Sequence, residues 1–502
     1  MVTTPMTSQD PRFLEANGGD IGIPVHPEYR NHINRWIFLI RSYLGGAYFR
    51  MGRYLTRYVL ESDKEYISRV LQTPYDNHVK SICHIYNSFL YRTAPDREFG
   101  NLEGTPELEA FLKDADFEGR SWDSFMRDVN LMSTIYGHCC VVVDRPAITV
   151  GTRAEELDQG IRPFVSLFTP ENILDWEFTR MPGGKYELTF LKLLEEQSVS
   201  YGQPSKFFIR TYTKDTITLH QYRALEKEKL ELLEEMPNPI GIVPATFIYA
   251  QRSPLRGIGV SDIQDVADFC LTIGNSLSEI EQLIRLSNHP TLAKTSETDA
   301  QAGAGAIITM PNELDPGLKP YLLQPSGQSL ESILSTIENN VRAIDRMSHM
   351  GAIRAIETRQ MSGVAMMSEF LTLDAKLSEK AKNLELGEET IFRLFSKWQG
   401  EAWTGEIKYP MAFHIRDKNL DIDILKKAAE TNPADPRVRA AIDAKILDLL
   451  EVDPQETQSQ NQQAEIQEQL MTGDSNEEII ADNPGTTVTD IEAAAAAAAR
   501  DN

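Results

Sequence analysis

Cysteine is scarce in this chain: four in 502 residues, Cys83, Cys139, Cys140 and Cys270, with no C-x-x-C spacing among them. That excludes a disulfide framework and the common zinc-ribbon ligand sets. All four lie in apolar surroundings, the pattern of small buried hydrophobes in a reducing compartment. His138 before Cys139 and Cys140, with His84 beside Cys83, comes nearest to a metal-ligand set. Neighbours in one strand point to opposite faces and do not converge on a tetrahedral ion, so no metal and no cofactor is expected. Long hydrophobic runs are also missing. The longest, 36–44, is broken by Arg41 and falls far short of the roughly 20 residues that cross a bilayer. The first turns of the sequence carry neither a basic block nor an apolar one, and no secretory leader is expected.

Nucleotide and hydrolase motifs are absent as well. No G-x-x-x-x-G-K-[ST] occurs; Gly183-Gly184-Lys185 lacks both loop and hydroxyl and reads as a hairpin turn. Gly257-Ile258-Gly259 lacks the third glycine of a dinucleotide site and reads as a turn at a helix start. No G-x-S-x-G is present. The carboxylate pairs Glu195-Glu196, Glu234-Glu235 and Glu388-Glu389 have no histidine in catalytic spacing and read as solvated faces. The chain therefore reads as no enzyme, with no catalytic, cofactor-binding or metal residue.

Positive charge is short: 50 Lys and Arg against 74 Asp and Glu, a net charge of −24. The deficit is uneven. Residues 453–502 hold eleven acids, one arginine and no aromatic ring, a composition that does not bury enough apolar area to offset its ordering entropy. Residues 26–95 reverse the balance, with ten Lys or Arg against five Asp or Glu. There Arg30, Arg35, Arg41, Arg50, Arg53 and Arg57 alternate with aromatic residues. Two readings stand: arginines snorkelling from amphipathic helices at a subunit contact, or direct contact with DNA or a capsid, for which Arg41, Arg50 and Arg53 are the candidates.

What is present is helix with a regular apolar seam. At 41% hydrophobic and 25% charged, the chain is long enough for two or three domains with a sizeable core. Ile263, Val266, Cys270, Ile273, Leu277, Ile280 and Ile284 recur at steps of three and four, and Leu330, Leu334, Ile337, Val341, Ile344 and Met347 repeat the pattern. Between the two helices, 289–328 is so rich in Pro and Gly that neither can continue through it. After the polar, Gly-bounded stretch 351–363, residues 364–399 read as a long amphipathic helix with Phe370, Leu373, Leu377, Ala381, Leu384, Ile391, Phe395 and Trp398 on one stripe. Helices dominate 26–91, 107–115 and 121–136. Strands are expected at 139–143, 163–168, 186–195, 206–213, 216–223 and 244–249, with a hairpin tip at Lys214-Asp215. A strand at 406–415 is expected to return the chain to that sheet. Short amphipathic helices follow at 420–432 and 437–450.

The order of helix, Pro/Gly-rich tip, helix, loop ending in Met361-Ser362-Gly363-Val364-Ala365, then long helix resembles the portal proteins of tailed bacteriophages. A second patch is similar to their N-terminal wing: Leu44-Gly45-Gly46, Tyr54-Leu55, then Tyr66-Ile67-Ser68-Arg69 before an apolar helix at 82–91. The resemblance covers roughly 28–450 and lies in the order of elements, not in any single motif. It implies an α+β, mainly helical subunit. Its parts would be a flexible N-terminal arm (1–25), an α/β wing (26–258), a first stem helix (259–288), a small α/β clip (289–328), a second stem helix (329–350), a tunnel loop (351–363), a long wing helix and strand (364–418), a helical crown (419–452) and an acidic flexible tail (453–502).

The resemblance further implies a ring of about twelve copies at one capsid vertex. Double-stranded DNA would pass through it without sequence preference during packaging and ejection. The clip would dock the terminase large subunit and then a head-tail adaptor, and major capsid and scaffolding proteins would surround the ring. It would be a virion component assembled in the host cytoplasm, with no membrane partner. An acid excess makes a poor DNA binder, which suits a conduit through which DNA must slide. Arg354, Glu357 and Arg359 then either face solvent in a helix connection or project into the channel. The acids of the first stem helix, Asp262, Asp265, Asp268, Glu279 and Glu281, either line that channel or form an ordinary solvated face. Ile273, Leu277, Ile280, Ile337, Val341 and Ile344 are the candidates for stem oligomerisation. The alternative is an intracellular oligomeric metal-assisted hydrolase with a helical oligomerisation stalk.

Overall fold

The computed structural model describes residues 10–12, 22–146, 155–156, 159–197, 205–223, 230–288, 291–293, 321–323, 328–350, 363–411 and 413. By contacts the chain divides into residues 1–413 and 414–502, and every described residue lies in the first unit. That unit mixes helix and sheet, with helix predominant.

Helix α1 (Pro27–Leu44) starts where His26 Nδ1 accepts the Glu28 N–H at 3.1 Å, with Pro27 in the first turn. Both features satisfy a helix start. It buries Tyr29, Ile33 and 36–40 almost completely. α2 (Gly46–Met51) follows at once. α3 (Asp63–Gln72) opens on a reciprocal cap between Ser62 and Glu65, and α4 (His78–Leu90) on Asn77. α5 (Pro106–Lys113) and α6 (Trp122–Tyr136) complete the helical half of the wing. Ser121 caps α6, and Gly137, at φ +94°, ends it. A Cβ at Gly137 would lie 2.6 Å from the Gly259 carbonyl oxygen, so only glycine suits both the left-handed cap and the close approach.

Strand β2 (His138–Asp144) emerges directly from that cap and runs antiparallel between β3 (Phe164–Phe168) and β9 (Ala245–Tyr249). Cys139 through Val143 are buried on both faces, as their unbroken apolar run requires. A second sheet is an antiparallel meander of β4 (Ile173–Arg180), β5 (Tyr186–Gln197), β6 (Lys206–Thr213), β7 (Thr216–Tyr222) and β8 (Leu230–Pro237) in that order. Gly183-Gly184-Lys185 is the expected turn, between β4 and β5, and Lys214-Asp215 forms the tip between β6 and β7. β4 and β8 are strands beyond those expected from the sequence.

α7 (Gln264–Asn288) and α8 (Gln328–Met347) pack on each other, and at their far end β12 (Thr291–Ala293) pairs antiparallel with β13 (Tyr321–Leu323). α9 (Gly363–Trp398) then runs 36 residues and lies against β9 and β2. Gly387 makes that approach possible: a Cβ there would sit 2.7 Å from Ile248 Cγ1. Leu373, Leu377, Ala381, Leu384, Ile391 and Phe395, the stripe read from the sequence, are all buried. One continuous apolar cluster joins these helices to both sheets. Among the described residues no helix is long and apolar enough to cross a membrane.

Three expectations are corrected. The strand at 406–415 shrinks to β14 (Glu406–Lys408) and pairs with β1 (Asp96–Glu98) in a separate two-stranded ladder, not with the earlier sheet. Pro410 removes the donor that would prolong it. Within the arm read as flexible, Asp10 and Arg12 are buried. Arg12 donates to Asp10, to Glu196 at 2.8 Å and to Asn172 at 3.1 Å, a guanidinium fork fully used against the wing. Of the carboxylate pairs read as solvated, Glu388 is fully buried.

Candidate functional site

The stem hairpin stands on the wing through the first turns of α7. Ile263, Val266, Ala267, Cys270 and Ile273 are buried there. Asp262, just before the helix, sits between two ammonium groups of α9: Lys380 Nζ at 2.7 Å and Lys376 Nζ at 3.6 Å. Lys380 also donates to Thr134 of α6. Burial alone would raise the Asp262 pKa, but the two lysines reverse that and hold it below the ordinary carboxylate value. Burial likewise disfavours the charged Lys376, yet Asp262 and Tyr86 raise it above the usual lysine value.

Further along α7, Arg35 of α1 takes Asp268 in a fork at 2.6 and 2.8 Å, and the Tyr58 hydroxyl donates to Glu279 at 2.6 Å. Asp262, Asp268 and Glu279 are therefore bound to the wing of their own chain. Asp265 and Glu281 are exposed. Of the two readings of this acidic helix, channel lining is thereby narrowed to those two residues.

The stem residues divide in a way that the seam did not disclose. Ile273 and Ile344 are 1% and 0% exposed within a single chain. Leu277, Ile337 and Val341 are partly buried against the same core, and Ile280 is half-buried. A heptad seam specifies a packed neighbour but not whether that neighbour belongs to the same subunit. Here α7, α8 and the wing fill most of it. The exposed apolar positions of the hairpin are Ile284 and Leu334. Arg354, Glu357 and Arg359 lie outside the described residues, as do the crown, the tail and, except for β12 and β13, nearly all of the clip.

Arg41, Arg50 and Arg53 share one corner. Burial raises the Tyr54 hydroxyl pKa, and Arg41, hydrogen-bonded to it, opposes that rise. Arg50 Nε reaches the Thr73 carbonyl at 3.4 Å. Arg53 is exposed, at φ +50°, and its carbonyl accepts from the Tyr66 hydroxyl at 2.6 Å. A small cleft opens beside them, walled by Phe49, Tyr54, Leu55, Val70 and Gly274. Arg69, read only as part of a Tyr-x-x-Arg resemblance, is the organising cation here. It is 4% exposed and binds Glu61 through Nε at 2.7 Å and Nη2 at 2.8 Å.

No reactive constellation accompanies this architecture. Burial drives the His138 pKa down to about 3 and the Cys83 thiol up to about 12, so the imidazole is held neutral and the thiol protonated. Among the described residues no group of three or more His, Cys, Asp or Glu is placed to hold a metal ion. Buried Glu388 accepts from Arg97 Nε at 2.5 Å, Trp122 Nε1 at 2.7 Å and the Tyr409 hydroxyl at 2.5 Å. A carboxylate so fully engaged joins elements together and has no free oxygen lone pair aimed at a substrate.

No family model matches the chain, and no curated protein matches it. Among solved structures it is similar to a chain in the neck of an empty gene transfer agent particle computed with C6 symmetry, at 9% identity and TM-score 0.42, covering 72% of this chain and 88% of that one. A chain from the virion of a native gene transfer agent particle aligns at 11% identity and TM-score 0.41, covering 86% and 98%. A third, from the neck of the native particle computed with C12 symmetry, aligns at 10% identity and TM-score 0.38, covering 72% and 88%. At these identities and scores the likeness assigns no role to this chain.

Proposed function

We propose that this chain is the portal subunit of a tailed phage or phage-derived particle, a ring-forming conduit for double-stranded DNA. The observation that carries the reading is the hairpin α7–α8. Two long helices leave the wing together, are bridged at their far end by the β12–β13 ladder, and the chain then returns along the 36-residue α9. This is the order of stem, clip, stem and long wing helix on which the sequence resemblance rests. The tie from Asp262 to Lys376 and Lys380 supports it physically, since a stem that bears load has to be anchored to the wing. The ring would hold Arg354 and Arg359 near passing phosphates for transient, sequence-independent contact. The clip would meet the packaging terminase first and a head-tail adaptor later.

Electron micrographs of the purified full-length chain test this directly. Closed rings with a central channel wide enough for duplex DNA are expected. A particle that stays at the 56.6 kDa of a single chain at micromolar concentration, without rings, overturns the reading.

A further inference from the structure

Two places on this chain expose consecutive aliphatic side chains, and the charges around them are opposite. The first is the turn between α2 and α3, where Val59 and Leu60 are 99% and 96% exposed. They occupy the centre of a turn closed by the Glu61 N–H on the Tyr58 carbonyl at 3.1 Å, positions that ordinarily favour Gly, Asn, Asp or Pro. The turn is firmly held. Besides gripping Glu61, Arg69 donates to the Thr56 carbonyl at 2.7 Å and to Ser278 Oγ of α7 at 3.0 Å, and its guanidinium lies 4.2 Å from the Tyr58 ring. A buried arginine thus fixes a turn whose tip is two bare aliphatic residues. α3, which follows, exposes Ile67 and Leu71 one helical turn apart.

The second place is β8, the edge of the five-stranded meander. Leu232 and Leu233 are 52% and 48% exposed. Side chains of successive strand residues normally face opposite ways, but the register shifts here: His220 pairs with Leu232 and Leu219 with Glu234, leaving Leu233 as the extra residue. The bulge falls on an edge strand, where bulges re-aim side chains. Around these leucines are Glu231, Glu234 and Glu235, and the strand carries no basic residue. The turn belongs instead to the basic segment of the chain, with Arg53, Arg57 and Lys64 close to it in sequence.

We propose that the Val59–Leu60 turn of one subunit docks on the β8 edge of a second copy of this chain. The proposal rests on the ring-forming reading above and supplies a contact for it. Aliphatic tip and exposed leucines provide the apolar centre, and the basic and acidic surroundings set orientation and exclude turn-to-turn or edge-to-edge pairing. Donor and acceptor are different patches, so the contact is head-to-tail and can propagate to a closed ring, whereas a self-complementary patch stops at a dimer.

Two full-length variants test it: Val59→Asp with Leu60→Asp, and Leu232→Asp with Leu233→Asp. All four sites are exposed, so both variants should melt like the wild type. Each alone should stay monomeric, and an equimolar mixture should form one-to-one dimers and nothing larger, because a single intact contact remains. Rings from either variant alone, or monomers only in the mixture, overturn the proposal. Separately, a chain carrying Leu60→Cys and Leu233→Cys should give a covalent ladder on oxidation, with no ladder from either single substitution. Assembled rings of the double-cysteine chain that yield no ladder overturn this contact and leave the ring reading standing. A wild-type chain that stays monomeric overturns both.

Discussion

Lys380 Nζ lies 2.7 Å from Asp262 Oδ2, with both side chains nearly closed to solvent, and the pair fastens the foot of α7 to the middle of α9. Lys376, one helical turn earlier on α9, approaches the other carboxylate oxygen at 3.6 Å and keeps more solvent access. One buried anion therefore serves two cations, and its removal strands both.

This asymmetry gives an ordered prediction. Asp262→Asn should destabilise the chain most, by about 3–5 kcal/mol, because two lysines are left uncompensated in a dry site. Lys380→Met should cost less, since Lys376 still neutralises the aspartate. Lys376→Met should cost least. Urea titrations of the three variants check the order, and a Lys376→Met loss equal to that of Asp262→Asn contradicts it.

A pH effect follows from His138. Its Nδ1 accepts the Gly259 N–H at 3.2 Å, which requires the neutral ring, and burial lowers its pKa from 6.5 to about 3, with His32 acting in the same direction. Between those two values the unfolded chain binds a proton that the native chain refuses. The contribution to stability is complete above pH 6.5 and drains away as pH falls. From pH 7 to pH 5 the loss from this one group is about 2 kcal/mol. Denaturation at both pH values should show a smaller drop for His138→Gln than for the wild type. Equal drops would mean that His138 protonates in place.

Much of the fold was legible where one period ran unbroken. The α9 stripe, the α7 seam and the β6–β7 hairpin all follow from spacing alone. β8 did not, because its bulge at Leu233 breaks the alternation that marks a strand. Glu388 was misread for a related reason. Adjacent carboxylates suggested a solvated face, yet Glu388 stands four residues after Leu384 and three before Ile391, on the apolar stripe itself. A carboxylate on that stripe implied donors waiting in the core. That they are Arg97, Trp122 and Tyr409 depends on contacts far apart in sequence, which no local pattern encodes.

The stem offers the last prediction, and it separates folding from assembly. The seam nominated Ile273 and Leu334 alike as packed positions, but Ile273 is 1% exposed in one chain and Leu334 is 46% exposed. Ile273→Asp would bury an unpaired carboxylate among Ile263, Val266 and Cys270. A loss of about 4 kcal/mol or more is expected, and the chain should fail to fold before it fails to assemble. Leu334→Asp changes a surface position and should alter the stability of the single chain by no more than about 0.5 kcal/mol. If α8 meets a neighbouring stem, the same change places a charge in an apolar contact, and rings should give way to monomers or open arcs with unchanged melting of the subunit. Circular dichroism melts alongside negative-stain images read both properties in one preparation. Intact rings from Leu334→Asp would remove this face of α8 from the subunit contact and leave assembly to the wing.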